Sequence, residues 1–216
     1  PSGTRSEALD EEVLPYLYQS GCRNLSYAPE SGSPQVLKRI KKKVDPSRMI
    51  ESMRTAVANG LNVKANIIVG FPQETHSDIW RSLYFIARMA ANGVNDVSVW
   101  TYSPYPGTEM YAELKEEGKI ADFDDDYFSS LLSYADLKNV VSWDEELSAR
   151  TLQLYRILGL VLFYATSYLS NPLRFFRTLR NLTSNQHESR MEMTLSIFLK
   201  RLGLFSGDEA QGRAPA

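Results

Sequence analysis

The stretch LNVKANIIVGFPQET, residues 61–75, joins an apolar, β-branched run to an abrupt polar turn. A run of this length predicts a buried strand. Gly70 allows a ligand to approach the backbone closely, and Pro72 cannot continue a hydrogen-bonded ladder. Thr75 followed by Asp78 is typical of a capping box, so a helix is predicted to begin there. The stretch therefore predicts a strand–loop–helix unit with its polar loop at the strand's carboxyl end, where ligands bind in parallel α/β folds.

Two further segments repeat this organisation. Residues 24–28 (NLSYA) and 94–102 (VNDVSVWTY) predict strands, and an Ala-Asn-Gly sequence precedes both the 61–69 and the 94–102 strand. Helices are predicted between the strands, which implies right-handed crossovers and a parallel sheet. About three β/α units are too few for an eight-fold barrel. The sequence therefore predicts either a small open sheet or the later part of a larger barrel.

The character of the chain changes after Thr108. A short polar helix is predicted over 109–117, an acidic loop over 122–126, and a long helix from Ser142, where Glu145 completes a capping box. The last eleven residues, SGDEAQGRAPA, are small and polar and predict disorder. We therefore expect three parts: an α/β portion over 1–120, a helical extension over 121–205 and a disordered tail over 206–216.

Composition limits the classes of function. The chain has 216 residues, of which 43% are hydrophobic and 23% charged, as in ordinary globular proteins. A net charge of −2 does not favour a nucleic-acid partner. Cys22 is the only cysteine, so the chain contains neither a disulfide nor a cysteine metal cage. The first residues contain no apolar signal-peptide core and no initiating Met, which leads us to expect an excerpt of a longer protein.

Three loops carry a family resemblance. They are Glu30-Ser31-Gly32-Ser33, Gly70-Phe71-Pro72-Gln73-Glu74-Thr75 and Pro104-Tyr105-Pro106-Gly107-Thr108. In this order and at these intervals they resemble the loops after the fourth, fifth and sixth strands of radical SAM enzymes, in the class with an upstream cobalamin-binding domain. The resemblance implies an α/β fold, the later half of a partial (β/α)6 TIM-like radical SAM barrel, followed by an α-helical C-terminal extension.

The same resemblance implies the cofactors. It predicts an enzyme that binds S-adenosylmethionine (SAM) for 5′-deoxyadenosyl-radical or cobalamin-assisted chemistry, such as methyl transfer or ring closure on a tetrapyrrole, lipid or similar small molecule. The family's CxxxCxxC motif, whose thiolates hold a 4Fe–4S cluster, is absent, and Cys22 has no partners at that spacing. We therefore expect the cluster ligands in a missing N-terminal part of the same protein. The chain alone is expected to be inactive, and the enzyme to be cytoplasmic.

The resemblance also suggests cofactor-binding residues. Ile68, Gly70, Phe71 and Pro72 correspond to the adenine side of the SAM site, while Glu30 and Ser31 suit the ribose hydroxyls or the amino-acid end of SAM. Tyr102 is predicted to line the substrate face. The alternatives are a plain βα turn at Gly70-Phe71-Pro72, a helix-dipole role for Glu30 and a packing role for Tyr102. No catalytic residue and no metal ligand is assigned within the chain.

Two other functions remain open. One is a parallel α/β enzyme without radical chemistry, and the other is a non-catalytic binding or membrane-docking fragment. Residues 157–173 carry no charge, but their length is at the lower limit for a membrane span, so a core helix is the preferred interpretation. Arg174, Arg177 and Arg180 alternate with apolar residues, which permits peripheral membrane contact through 157–182.

Overall fold

The computed structural model describes residue 9 and residues 12–120, 123–132, 140–184 and 188–202. Its strands are β1 (Asn24–Glu30), β2 (Asn62–Val69) and β3 (Asp96–Thr101). Its helices are α1 (Leu14–Gln19), α2 (Pro34–Arg39), α3 (Pro46–Ala58), α4 (His76–Ala91), α5 (Glu109–Glu116), α6 (Asp125–Leu131), α7 (Ala149–Ser170), α8 (Leu173–Ser184) and α9 (Arg190–Arg201).

The three strands form one parallel sheet in the order β1-β2-β3. Asn24 pairs with Asn62, and Ile68 pairs with Trp100. The ladder between β1 and β2 shifts register between Tyr27 and Glu30. The parallel α/β arrangement expected from the alternating pattern is therefore confirmed for the described residues. It is consistent with part of a TIM-like radical SAM fold.

The two faces of β2 differ in burial. Val63, Ala65, Ile67 and Val69 are fully buried and join the main core. The alternate residues, including Ile68, are half-buried because side chains along a strand point to opposite faces. One face of the sheet therefore packs against helices, while the other remains partly accessible near the carboxyl end.

Local capping signals position the helices that flank the sheet. The Asp45 side chain accepts hydrogen bonds from the first turn of α3, and Thr75 and Asp78 form the predicted capping box of α4. The prediction for the long helix was wrong. It begins at Ala149 rather than at Ser142, because the Ser142 hydroxyl bonds the Leu147 carbonyl and stabilises a turn, while Ser148 accepts from the Thr151 amide.

Helix α7 packs against α4 and β3. Arg156, only 2% exposed, donates from Nε to the Val99 carbonyl of β3 at 3.1 Å. Leu152 and Phe163 are fully buried in the same core, whereas Leu154 and Val161 are exposed. Among the described residues, α7 is the one helix long and apolar enough to cross a membrane by length and composition. Of its apolar window 28% is buried, so one face packs on the core and the other is exposed, and the core-helix interpretation stays a prediction.

The chain divides into two compact units at Ser170/Asn171. The sequence had suggested a boundary at 120/121, and the difference arises because α7 packs onto the α/β portion. The segment 157–182 is likewise not one helix, since α7 ends at Ser170 and α8 begins at Leu173 beyond Pro172. In the second unit, α8 packs on α9. The predicted tail over 206–216 lies outside the described residues.

Candidate functional site

A cavity of about 560 Å³ opens at the carboxyl ends of β2 and β3. Three residues expected from the sequence, Ile68, Phe71 and Tyr102, lie in its wall. The other lining residues come from the end of α2 and the two residues after it, from β3, from the loop after β3 and from the first turn of α5: Arg39, Ile40, Lys41, Trp100, Thr101, Ser103, Tyr105, Thr108, Glu109 and Met110. A volume of this size is ordinary for a site that binds a cofactor-sized molecule.

The inner wall of the cavity is apolar and aromatic. The Phe71 and Tyr102 rings lie with centroids 5.1 Å apart and planes inclined by 40°. Both side chains are largely buried in a small cluster beside Val36. Burial raises the pKa of Tyr102 to about 12 in spite of its hydrogen bond with Thr108, so the phenol stays protonated at neutral pH. The wall can therefore contact a flat heterocycle and offer it a hydroxyl group.

Charged residues lie at the rim. Arg39, near the end of α2, donates to the Pro72 carbonyl at 2.6 Å and so joins α2 to the loop after β2. Lys41 forms an ion pair with Glu109, and both side chains are largely exposed. The sequence analysis missed Arg39, because a basic residue in the last helical turn is usually solvated. Only the fold brings it beside Pro72.

The loop after β2 is held by Glu74. This side chain is 1% exposed, and its Oε2 accepts from the amides of Gly70 at 2.5 Å and Phe71 at 3.2 Å. The buried Oε1 has no hydrogen-bond partner among the residues that the structure describes. Burial raises the pKa of Glu74 to about 7, against the lowering effect of the two amide hydrogen bonds. The sequence analysis missed this role, although a Glu four residues after a strand-ending glycine could have indicated it.

Gly70 adopts a positive φ of +82°. A Cβ at this position would lie 2.7 Å from Leu152 Cδ1 of α7. The structure thus supplies a packing reason for this glycine. Neither Gly70 nor Pro72 is in the set of residues that line the cavity. Their predicted contact with SAM stays a prediction.

Glu30 and Ser31 also lie outside that set. Glu30 has a positive φ of 66°, and its Oε1 is 3.1 Å from Lys42 Nζ. Ser31 is 1% exposed, and its hydroxyl is 3.1 Å from that of Ser82 on α4. The Ser33 amide donates to the same Ser31 oxygen at 3.1 Å. These contacts fix the loop after β1, and cofactor contact by Glu30 and Ser31 stays a prediction.

Other candidate residues have structural roles. Asp124 accepts from the Tyr127 amide at 2.8 Å and caps α6, which explains part of the acidic loop, while Asp122 lies outside the described residues. His76 Nδ1 lies 2.8 Å from the Tyr155 hydroxyl. No group of three or more His, Cys, Asp or Glu residues in the described part of the chain could hold a metal ion.

The chain is thus an α/β protein with a candidate ligand site, a cofactor-sized cavity at the carboxyl ends of its parallel strands. Comparison with known proteins indicates a more specific class. Residues 2–86 match the family model described as "Radical SAM superfamily". An uncharacterized methyltransferase of Pyrococcus horikoshii is 27% identical over 51% of this chain and 23% of its own length. A threonylcarbamoyladenosine tRNA methylthiotransferase of Thermotoga maritima is 33% identical over 50% of this chain and 25% of its own.

A third relative is an anaerobic magnesium-protoporphyrin IX monomethyl ester cyclase of Rubrivivax gelatinosus, 24% identical over 53% of this chain and 20% of its own length. The chain thus spans between a fifth and a quarter of these curated relatives. Together the matches show that part of the chain is similar to proteins of the radical SAM superfamily. The activities in the relatives' names differ, so they do not identify a substrate here.

Proposed function

We propose that the chain forms the SAM-binding side of a radical SAM enzyme, at the carboxyl ends of β1–β3. The observation that carries the proposal is the cavity walled by Ile68, Phe71 and Tyr102, directly after the strands that the family resemblance singled out. In an open parallel sheet, ligands bind outside the carboxyl ends of the strands. The match to the radical SAM family makes SAM the ligand of choice.

The residues of the cavity fit the adenosyl part of SAM. Phe71 and Tyr102 offer ring surfaces for adenine, and Ile68 adds apolar contact from the accessible face of β2. Glu74 holds the loop amides of Gly70 and Phe71 in one arrangement, which keeps the wall in place before the ligand binds. Such preorganisation is how a protein directs a reactive group toward its substrate.

The chain does not fit a 4Fe–4S cluster by itself. Cys22 is its only cysteine, whereas such clusters are held by several thiolates. We propose that the cluster ligands belong to an upstream part of the same protein, which would complete the barrel beside β1. When bound together, cluster and SAM supply the 5′-deoxyadenosyl radical chemistry of the family. Cobalamin in an upstream domain, and a cytoplasmic location, are parts of this proposal.

The proposed reaction is methyl transfer to an unactivated carbon or ring closure on a small molecule such as a tetrapyrrole or lipid. Support comes from the relatives named methyltransferase and cyclase. Trp100 and Tyr105 line the same cavity as the adenine wall, so an apolar substrate could lie beside SAM there. We place no nucleic-acid contact in the site, since the chain carries a net charge of −2.

Methyl NMR tests the proposed adenosyl site. With isoleucine δ1 methyl groups labelled, addition of SAM should shift the signal of Ile68. The neighbouring Ile67 should not respond, because it is fully buried on the opposite face. Phe71→Ala should weaken the apparent affinity by about ten-fold, the order expected for one lost aromatic contact, whereas Phe128→Ala, at an exposed position, should have no effect. Equal shifts of Ile67 and Ile68, or affinity unchanged by Phe71→Ala, would contradict the site.

A further inference from the structure

The helical hairpin formed by α8 and α9 has an unusual distribution of polarity. Leu182 is buried in it, but most of the buried side chains of the described hairpin are polar: Thr178 Oγ1 donates to Glu192 Oε1 at 2.8 Å, and Asn181 Nδ2 donates to Glu192 Oε2 at 3.3 Å. Glu192 is 2% exposed, and the Glu188 amide donates to its Oε2 at 2.8 Å. A hairpin in water normally buries its apolar side chains, so the polar interior leaves the apolar ones outside.

Large apolar side chains cover the outer surface of both helices. On α8, Phe175, Phe176 and Leu179 are 53%, 66% and 47% exposed, and their spacing places them on one side of the helix. On α9, Met193 and Ile197 are each 48% exposed. Exposed aromatic and aliphatic residues that are neighbours on one helix face, as on α8, mark an interaction surface more often than scattered ones do.

Basic residues accompany these apolar side chains. Arg190, Met193, Ile197 and Arg201 fall at i, i+3, i+7 and i+11, so they form one stripe of α9, and all four are exposed. Arg180 is exposed on α8. Residues 171–202 contain six Lys or Arg and two Asp or Glu, although the whole chain carries a net charge of −2.

Both acidic residues of this segment have partners within the hairpin. Glu192 is buried in the hairpin, and Glu188 lies 3.1 Å from Arg177. A second copy of the chain docked through the same surface would bring Arg180, Arg190 and Arg201 against each other, which is unfavourable. Exposed aromatic and aliphatic residues flanked by arginines are instead the pattern of a helix that lies at a lipid–water interface.

We propose that the α8–α9 hairpin is a peripheral docking element for an anionic bilayer. Phe175, Phe176 and Leu179 would enter the headgroup region, while Arg180, Arg190 and Arg201 would contact lipid phosphates. This surface lies outside the candidate SAM site, and its role does not depend on the proposed function. Helix α7, whose buried face packs on α4 and β3, is not part of it.

Vesicle flotation of the 216-residue chain tests the proposal. The chain should float with vesicles of phosphatidylcholine and phosphatidylglycerol, should not float with phosphatidylcholine alone, and should be released by salt. Arg180→Gln with Arg201→Gln should weaken binding by about twenty- to thirty-fold, since each basic residue near an anionic surface contributes about five-fold. Lys38→Gln with Arg54→Gln, a matched pair of exposed residues in the first unit, should leave binding unchanged.

Substitution of the exposed apolar residues provides a second test of the proposal. Phe176→Ser with Leu179→Ser should reduce flotation by ten-fold or more while the circular dichroism spectrum is retained, and Leu154→Ser on α7 should not. An equal loss from Leu154→Ser would assign binding to α7 and overturn the proposal. Absence of flotation would also overturn it. A dimer that Phe176→Ser with Leu179→Ser converts to a monomer, without vesicle binding, would assign the surface to a second copy.

Discussion

Leu152 of α7 occupies the space into which a side chain at Gly70 would project, with Leu152 Cδ1 2.7 Å from the position of a Cβ. The loop that walls the candidate cofactor cavity is therefore in contact with a helix that begins almost eighty residues later in the chain. This contact explains why α7 belongs to the same compact unit as the sheet.

Gly70→Ala should destabilise the protein more than Gly107→Ala. Both glycines have a similar positive φ, +82° and +86°, but no atom lies within 4 Å of a Cβ at Gly107. A side chain at a positive φ should destabilise both variants by about 1–2 kcal/mol. The overlap with Leu152 should destabilise Gly70→Ala by about 1–3 kcal/mol more. Urea unfolding of both variants measures the difference. Equal free energies of unfolding would show that Leu152 moves aside freely.

Glu74 should make stability depend on pH between about 4.5 and 7. Its folded pKa of about 7 lies above the ordinary value of 4.5 because burial disfavours the charged form. The stabilising effect of the protonated carboxyl is fully present below the unfolded pKa and is lost as the pH rises through the folded pKa. The free energy of unfolding should fall by up to about 3 kcal/mol over this window.

Glu74→Gln is the control for this effect. The glutamine keeps an oxygen to accept from the Gly70 and Phe71 amides, but it does not titrate. The dependence of the urea midpoint on pH should therefore flatten in the variant. Asp78 does not contribute to the pH dependence of stability in this window. Burial raises its pKa, but hydrogen bonds from Ser33 and Thr75 outweigh that effect, so it titrates below its ordinary value. An unchanged pH slope in Glu74→Gln would contradict the assignment.

The Glu30→Gln variant distinguishes SAM binding by Glu30 from a purely structural role in the loop after β1. If Glu30 contacts SAM, the substitution should lower affinity about ten- to a hundred-fold, the value of a hydrogen bond to a charged acceptor. If its partner is only Lys42, 3.1 Å away, SAM affinity should stay constant and stability should fall by less than about 1 kcal/mol. Lys42→Gln distinguishes them, because a purely structural pair predicts unchanged SAM affinity in both variants. Its loss of stability should be larger than that of Glu30→Gln, since Lys42 also donates to the Ala28 carbonyl. Calorimetric titration and thermal melts give the two readouts.

Arg156→Met should destabilise the edge of the sheet. The guanidinium of this buried residue donates to the Val99 carbonyl, and methionine would leave that acceptor without its partner. The expected cost is about 1–3 kcal/mol. Arg150→Met, on the exposed first turn of the same helix, should change stability by less than about 0.5 kcal/mol. Amide hydrogen exchange of β3 residues should accelerate only in the Arg156 variant. Unchanged exchange would contradict the stabilisation of this edge strand by Arg156.

Short-range patterns were sufficient for much of the fold. The β-branched run before Gly70 predicted β2, and the Thr75/Asp78 capping box predicted the start of α4. These signals work because the groups that satisfy a helix end or a strand end lie within a few residues of it.

Tertiary structure decided the rest. The sequence singled out Ile68, Phe71 and Tyr102, but only the parallel register brings β2 and β3 to one edge and joins them to Arg39 of α2. The partner of Gly70 is Leu152, the partner of Ser31 is Ser82, and the interior of the α8–α9 hairpin is mainly polar. Each of these facts depends on contacts between residues that local patterns do not relate, because packing joins side chains by position in space.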